Sequence, residues 1–360
     1  MSLFDWFKTR SASKEQTLTQ YAPFDIANIM VDGTTALNCP PYMSAITLLS
    51  TSLAKLGKHA MKDGKRLKGH PIEKLLSEPN PFIDGYTMFL QAETHRINDG
   101  NAYLQIIRDK QGEPINLLPI DPSNVTMNMN SDGFYYKTSN GQVVSPVDMI
   151  HVRAPHLDSE MKGIGYHTIL REQLKLWLAA QKHQSEYFEL GAFPRALLES
   201  DEPLSEDAKR VVRQEWQRGM TEQQSKLKIA VVDSRLNYKP LAVSFSEMEL
   251  NTMYSELTKQ IASAFNLSPT LIAHDGSRNT YTNIESQNMQ FIQNALMQGI
   301  TAWEQQLKKL FNNDEMYIRI NIDTLLRADS ASRAERLKNL VEANIMTIDE
   351  AREYEGLKAL

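Results

Sequence analysis

The sequence predicts an α+β fold, with its strands gathered early and its long helices late. Between residues 101 and 152, short runs with strand alternation are separated by Asn, Asp, Gly and Pro. From residue 168 onward, apolar residues recur at helical spacing over several turns at a time. Strands and helices kept apart, without strict βα alternation, favour α+β over α/β.

Residues 1 to about 34 are largely polar, with one short aromatic cluster (Phe4, Trp6, Phe7), and read as a flexible arm over residues 1–35. Ile46, Leu49, Leu53 and Leu56 share one helical face between Tyr42 and Leu56, and Gly57 supplies a stop. A short helix from His70-Pro71 to Leu76 precedes Glu78-Pro79-Asn80-Pro81, whose prolines cannot sit inside a helix. Another helix covers Tyr86–Asn98 and ends at Asp99-Gly100. Asn101–Arg108 and Ile115–Leu118 form a hairpin turning at Lys110-Gln111-Gly112, and Val125–Met129, Phe134–Lys137 and Met149–Val152 add short strands. These are expected to assemble as one small antiparallel sheet or barrel.

Four patterned helices follow. The first, Thr168–Leu190, carries Leu170, Leu174, Trp177 and Leu178 on one face. The second, Ser205–Arg218, has a capping serine, an acidic first turn and Gly219 as its stop. A third opens with the capping box Ser246–Glu249 and runs through Phe265 to Ser268-Pro269. The last opens with the box Thr282–Glu285 and continues to Phe311, on the order of 40 Å at ~1.5 Å per residue. Between the first and third lies an αβ insertion, with strands at Arg195–Glu199, Leu227–Val232 and Tyr238–Val243. Met316–Asp323 alternates as a strand, with Ile318, Ile320 and Ile322 on one face. Two closing helices end the chain, the second opened by the box Thr347–Glu350.

Composition narrows the function classes. With 41% hydrophobic and 23% charged residues the chain is an ordinary globular protein. No apolar run approaches the ~20 residues of a membrane helix, and no signal peptide opens it, so synthesis in the cytosol without membrane insertion is expected. Cys39 is the single cysteine, so an intrachain disulfide and a thiolate metal cluster are excluded, and a packed, inert thiol is expected. The formal net charge is −5. That opposes a protein that grips DNA through Lys and Arg. It suits one that encloses DNA without holding it.

Catalytic motifs are absent. No phosphate loop and no nucleophile elbow occurs. Gly163-Ile164-Gly165 lacks the third glycine of a dinucleotide fingerprint and reads as a turn. His151 and Arg153 share a strand face, which suits an anion or, more readily, a structural ion pair. His274 and Asp275 share a loop without further ligands at metal spacing. The sequence therefore predicts no catalytic residue, no metal site and no cofactor.

The connection 267–283 is long for two helices, where roughly 2–8 residues is typical. It is rich in hydrogen-bonding groups, with Arg278 its one cation. The stretch IASAFNLSPTLIAHDGSRNTYTNIESQNMQFIQNAL resembles the most recognisable segment of portal proteins of long-tailed, siphovirus-type bacteriophages. In that family a helix ends in I-A-x-x-F-x-V-P-P-x-L-L, and a loop with T-Y-S-N-x-E leads into a long helix. HPIEKLLSEPNPF, DGNAYLQIIRDKQGEPINLLPIDPSNV, DMIHVR, GIGYHTI, GAFPRALLES and TIDEAREYEGL agree in order and spacing, so the resemblance spans nearly everything from Ala36. Three departures stand out. Ser268-Pro269 replaces a double proline. Gln298-Gly299 replaces a mid-helix proline, so a kink would rest on glycine. The chain also stops soon after its last helix.

The resemblance implies a portal-type protomer with a mixed α/β wing (36–165), a first stem helix (166–190), a small β-α-β clip (191–245) and a second stem helix (246–266). A tunnel loop (267–282), a long helix with a wing strand (283–328) and a short helical crown (329–360) complete it. It implies a self-assembled ring, usually of twelve copies, at the capsid portal vertex of the virion. The protomers would be made in the host cytoplasm and would meet capsid and scaffold proteins during assembly. Double-stranded DNA would pass through the channel during genome packaging and ejection. His274, Arg278, Asn279, Thr280 and Tyr281 would face it from the tunnel loop. Arg195, Glu199, Arg213, Trp216, Arg218 and Arg235 would belong to a clip that receives the terminase large subunit and later the head–tail adaptor. The rival readings are a cytosolic α+β enzyme with a lid at 267–283 and another capsid or tail protein of the same particle.

Overall fold

The computed structural model describes residues 29–131, 133–155, 161–189, 196–200, 205–207, 209–211, 214, 236–240, 250–272, 287, 289–322, 325 and 330–354. Two compact units emerge. The larger comprises Ile26–Leu178 and Ser255–Leu360, the smaller Met1–Asp25 and Ala179–Tyr254.

In the larger unit, α1 (Gly33–Ala36) opens on a box in which Asp32 Oδ1 accepts from the Thr34 and Thr35 amides and Thr35 Oγ1 accepts from the Asp32 amide. Val31 and Ala36 are buried, while Asp32 and Thr34 between them are exposed. Helix α2 (Pro40–Lys55) starts with proline where no amide donor is needed. Cys39 caps it without a side-chain bond, and burial pushes its thiol up to about 12, as an inert packed thiol requires. Next come β1 (Gly57–Lys62) and β2 (Lys65–Arg66), then α3 (Pro71–Ser77) and α4 (Gly85–Asn98).

The strands β3 (Asn101–Arg108), β4 (Pro114–Ile120), β5 (Val125–Asn130), β6 (Gly133–Thr138), β7 (Val143–Val144) and β8 (Met149–Arg153) lie close to their expected places. They do not form the single sheet or barrel expected. Instead they split into two three-stranded antiparallel sheets, β4-β3-β8 and β5-β6-β7. Tyr103 and Met149 from the first meet Val125, Tyr136 and Val144 from the second in a small core of their own. A third sheet, β11-β1-β2, pairs β1 with β11 (Met316–Asn321), Ala60 opposite Ile318. β1 escaped the sequence reading because only Ala60 along it is buried and its partner lies far down the chain. The turn Asp63-Gly64, both residues at positive φ, was the available signal.

Helices α5 (Tyr166–Ile169) and α6 (Arg171–Glu189) follow, with Leu170 and Leu174 buried and Trp177 and Leu178 packed against the same core. In the smaller unit β9 (Ala196–Ser200) pairs antiparallel with β10 (Leu236–Pro240), and residues 206, 207, 209–211 and 214 are helical. Tyr254 Oη, on α7 (Leu250–Ala264), donates to Gln184 Oε1 of α6 at 3.4 Å. The strand expected at Leu227–Val232 lies outside the described residues, as do the boxes Ser246–Glu249 and Thr282–Glu285. α8 (Pro269–Ile272) is a single turn.

The helix expected to run to Phe311 is irregular along its described part. Its described part begins at residue 287 and contains a π-helical stretch, Phe291–Leu296, before α9 (Met297–Leu307) and a 3₁₀ turn at Lys308–Leu310. The irregularity thus precedes Gly299, where a kink was expected. Gly299 serves close packing: an added Cβ would sit 3.0 Å from Glu93 Oε1 and 3.1 Å from Arg96 Nη2. At the end, α10 (Ser330–Glu342) and α11 (Ile348–Tyr354) appear as expected, and the Thr347–Glu350 box forms, with the Glu350 amide donating to Thr347 Oγ1.

The main core is built on α2, α4 and α9, where Tyr42, Leu53, Phe89 and Trp303 are fully buried. Inside it lies an ion pair. Arg96 Nε and Nη2 donate to the two Glu93 oxygens at 2.7 Å, and Trp303 Nε1 donates to Glu93 Oε2 at 2.7 Å. Removing one partner strands the other charge in an apolar surround. Glu93→Ala is therefore expected to lower unfolding free energy by about 3–5 kcal/mol, whereas Glu93→Leu with Arg96→Met costs less than that single change. Urea denaturation of the two variants checks the order.

Candidate functional site

The expected channel loop is mounted on a fixed base. Helix α7 ends with Asn266 in the left-handed region at φ 55. The Leu267 amide donates to Ala262 O at 2.9 Å and the Asn266 amide to Ser263 O at 3.0 Å, which satisfies the last carbonyls of the helix. Phe265, just before this cap, is buried. Its ring stacks on Tyr166 at 4.5 Å and meets Tyr42 at 5.7 Å. Ser268 and Thr270 share a hydroxyl hydrogen bond of 2.8 Å, and Ile272 is buried. Thr270 Oγ1 also donates to Gln287 Oε1 at 3.4 Å. That contact joins the two ends between which residues 273–286 run.

His274, Arg278, Asn279, Thr280 and Tyr281 lie outside the described residues, and so do Arg195, Arg213, Trp216, Arg218 and Arg235. Of the clip set only Glu199 is placed, on β9 opposite Asn237. What the described residues supply is the two flanks of the 273–286 segment, at Ile272 and Gln287. Asn266 was the legible but unread signal for the first of them, since Asn is the commonest left-handed cap after Gly.

A second constellation unites three phrases that the sequence analysis quoted separately. Asn101, from DGNAYLQ, is buried at the start of β3. Its Oδ1 accepts from the Gly163 amide at 2.8 Å and its Nδ2 donates to Gly163 O at 3.1 Å and to Asp99 O at 3.2 Å. Gly163 belongs to GIGYHTI. His151, from DMIHVR, places Nε2 3.0 Å from the same Asn101 Oδ1. Because that oxygen can only accept, Nε2 carries the proton. Nδ1 is then the acceptor, and Tyr136 Oη donates to it at 3.2 Å.

The imidazole is therefore neutral. Burial pushes it down to about 3, and Arg153, Lys309 and Lys162 push the same way. The ion pair or anion site expected at His151 and Arg153 is replaced by a neutral hydrogen-bond chain, because His151 faces inward while Arg153 is exposed. Nor can Gly163-Ile164-Gly165 cradle a phosphate. A Cβ at Gly163 would lie 2.2 Å from Gly100 O, so the backbones there are in direct contact.

Around this hub Tyr42 Oη donates to Asn98 Oδ1 at 3.1 Å, and Asn98 Nδ2 donates to Gly33 O. His167 Nδ1 donates to Asn98 O at 2.6 Å, so the first turn beyond the glycines is tied to the end of α4. Among the described residues no three His, Cys, Asp or Glu side chains are grouped as a metal site would require. No helix among them is long and apolar enough to cross a membrane.

Comparison with known proteins is consistent across sequence and fold. The family model described as "Phage portal protein" matches residues 40–356. The portal protein of Enterobacteria phage HK97 is 23% identical over 301 residues, 81% of this chain and 70% of that protein. The probable portal protein of Streptomyces phage phiC31 is 24% identical over 352 residues, 90% of this chain and 76% of that one. Among solved structures, an HK97-family phage portal protein from Corynebacterium diphtheriae superposes with a TM-score of 0.61 at 16% identity, covering 82% and 96% of the two chains. A chain in the neck of a native gene transfer agent particle, computed with C12 symmetry, gives 0.61 at 18% identity over 91% and 92%.

The hub sets a pH dependence. A histidine whose folded pKa is depressed contributes stability that is present above its unfolded value of ~6.5 and is lost as pH falls toward about 3. Unfolding free energy should fall by on the order of a few kcal/mol across that window. His151→Gln should flatten the dependence when denaturation is followed at pH 7, 5.5 and 4.5; an unchanged slope would contradict the neutral-imidazole assignment.

Proposed function

The chain belongs to the phage portal protein family, and from that premise we propose that twelve copies close into a ring whose channel passes double-stranded DNA. It is a portal vertex protein of the virion capsid, and its family is structural and non-enzymatic. An α+β enzyme with a lid at 267–283 has no place in such a family. The observation that carries the finer reading is the order of elements: α6 and α7 flank a separate unit that contains the β9–β10 pair. A paired stem bearing a clip needs that order, and the Tyr254–Gln184 bond between the two helices supports the pairing.

In this reading residues 36–165 with β11 form the wing, residues 191–245 the clip, and residues 329–360 belong to the crown. Arg195, Glu199, Arg213, Trp216, Arg218 and Arg235 present the clip to the terminase large subunit, which supplies ATP hydrolysis. The head–tail adaptor takes the same surface after filling. Capsid and scaffold proteins surround the ring during assembly in the host cytoplasm. The tunnel loop narrows the channel and offers Arg278, Asn279 and Thr280 to phosphates, with His274 and Tyr281 beside them. With a net charge of −5 per copy, the ring holds the duplex loosely, since counterion release by cations supplies most non-specific affinity.

Negative-stain microscopy and mass measurement of the purified protein should show rings with a central hole, and a monomer or dimer at every concentration would overturn the reading. Deleting residues 277–280 should leave the ring intact while packaging or DNA retention drops. Normal packaging by that variant would remove the tunnel-loop assignment.

A further inference from the structure

Phe82 is 89% exposed, and the backbone that carries it is hydrogen-bonded in place. It lies between Pro81 and the start of α4, on a turn organised by the Asn80 side chain. Asn80 Oδ1 accepts from the Phe82 amide at 2.9 Å and the Ile83 amide at 3.2 Å, and its Nδ2 donates to Leu117 O at 2.9 Å. The Leu117 amide donates to Pro79 O at 2.9 Å. This turn therefore occupies the outer edge of β4, and a bare aromatic ring projects from it. Preorganised, exposed aromatics are the residues that anchor protein interfaces, because little order remains to be imposed on binding.

An open apolar depression lies on the β5–β6 hairpin and the segment that follows β8. Met127, Met129, Phe134 and Met161, with Asn128 and Lys162, line an open depression of about 270 Å³. That is below the ~300–1,000 Å³ of small-molecule sites and suits a single side chain. Methionines conform readily to an aromatic ring. In the order β4-β3-β8, Phe82 stands beyond the β4 edge. Met161 follows β8 in the chain, its carbonyl accepting from Arg153 Nη1 at 3.5 Å. Met129 and Phe134 sit opposite each other near the tip of the β5–β6 hairpin, ~14 Å along the strand from where β5 begins at Val125. Charge agrees as well: Glu78 and Asp84 flank Phe82, and the exposed Lys162 rims the depression.

We propose that Phe82 of one copy inserts into the Met127–Met129–Phe134–Met161 depression of the next, a head-to-tail contact repeated around the ring. The proposal rests on the ring reading above. A knob beside β4 and a hole on the β5–β6 hairpin are different patches of one chain, so their pairing is a heterologous contact, the kind that closes into rings.

The lone native cysteine makes the test clean, since Cys39 is buried and its thiol is held up to about 12. Phe82 and Met129 are 89% and 72% exposed, so replacing both leaves the core untouched. The full-length variant carrying Phe82→Cys and Met129→Cys, treated with a bis-maleimide, should give a denaturing-gel ladder rising to the ring size. Either single variant should remain monomeric on that gel. Phe82→Ala should raise the concentration needed for ring assembly about tenfold or more by mass photometry. Rings that form while the double variant yields no ladder would overturn this contact and leave the ring standing. Dimers from Phe82→Cys alone would overturn it too, in favour of a two-fold contact. If the unmodified protein forms no ring at all, the ring reading itself fails.

Discussion

The Asn101 side chain is the point on which the α/β body turns. One buried amide accepts from Gly163 N and His151 Nε2 and donates to Gly163 O and Asp99 O, so every lone pair and proton it has is in use. Four chain segments end or begin within reach of it: the close of α4, the start of β3, the end of β8 and the glycine loop that leads to α5 and α6. A residue of another shape would leave two backbone groups of Gly163 and one imidazole nitrogen without partners. Buried polar groups are costly when half satisfied and specific when fully satisfied. Here they fix where the first long helix departs.

Helix α4 carries that constraint into the rest of the core. Three turns of helix separate Asn98 at its end from Thr87, which Asp84 caps at its start. Between them Glu93 and Arg96 form the ion pair that Trp303 completes. The opposing helix must approach closely enough for the indole to reach a carboxylate, and Gly299 one turn earlier is what permits it. An apolar trio would bury as well and cost less desolvation. What the polar trio adds is a single register of α9 against α4, since sliding by one residue would strand a charge. Arg108 reinforces that register from the sheet side, donating to Lys309 O just beyond α9 and pairing with Asp148.

Most of the secondary structure was legible where a local pattern coincides with burial. β3 alternates little but is β-branched and aromatic, and β11 alternates cleanly with Ile318 and Ile320 buried. Illegible features share one property: they are decided by partners distant in sequence. β1 has one buried position and borrows its existence from β11. Two sheets stand where one was expected because Tyr103 and Tyr136 stack edge to face across them, a contact invisible to periodicity. The polarity of His151 was read as an ion pair because Arg153 shares its strand face. Its true partners, Asn101 and Tyr136, come from two other strands. Of the candidate site, the mount at 265–272 and Gln287 is described, and the residues proposed to touch DNA lie between them.

That mount and the Asn101 hub are not separate structures. Tyr42 donates to Asn98 with its hydroxyl and packs on Phe265 with its ring, while Tyr166, one residue from the His167 that binds Asn98 O, stacks on Phe265 as well. The end of α7 is thus packed against two aromatic rings whose own positions are set by the end of α4. Displacing Phe265 would require breaking buried stacking and at least one buried hydrogen bond together. Ile272, buried a few residues later, and the Thr270–Gln287 contact extend the same fixed surface across the base of the loop. Both flanks of residues 273–286 are therefore tied to the one core that α4 organises.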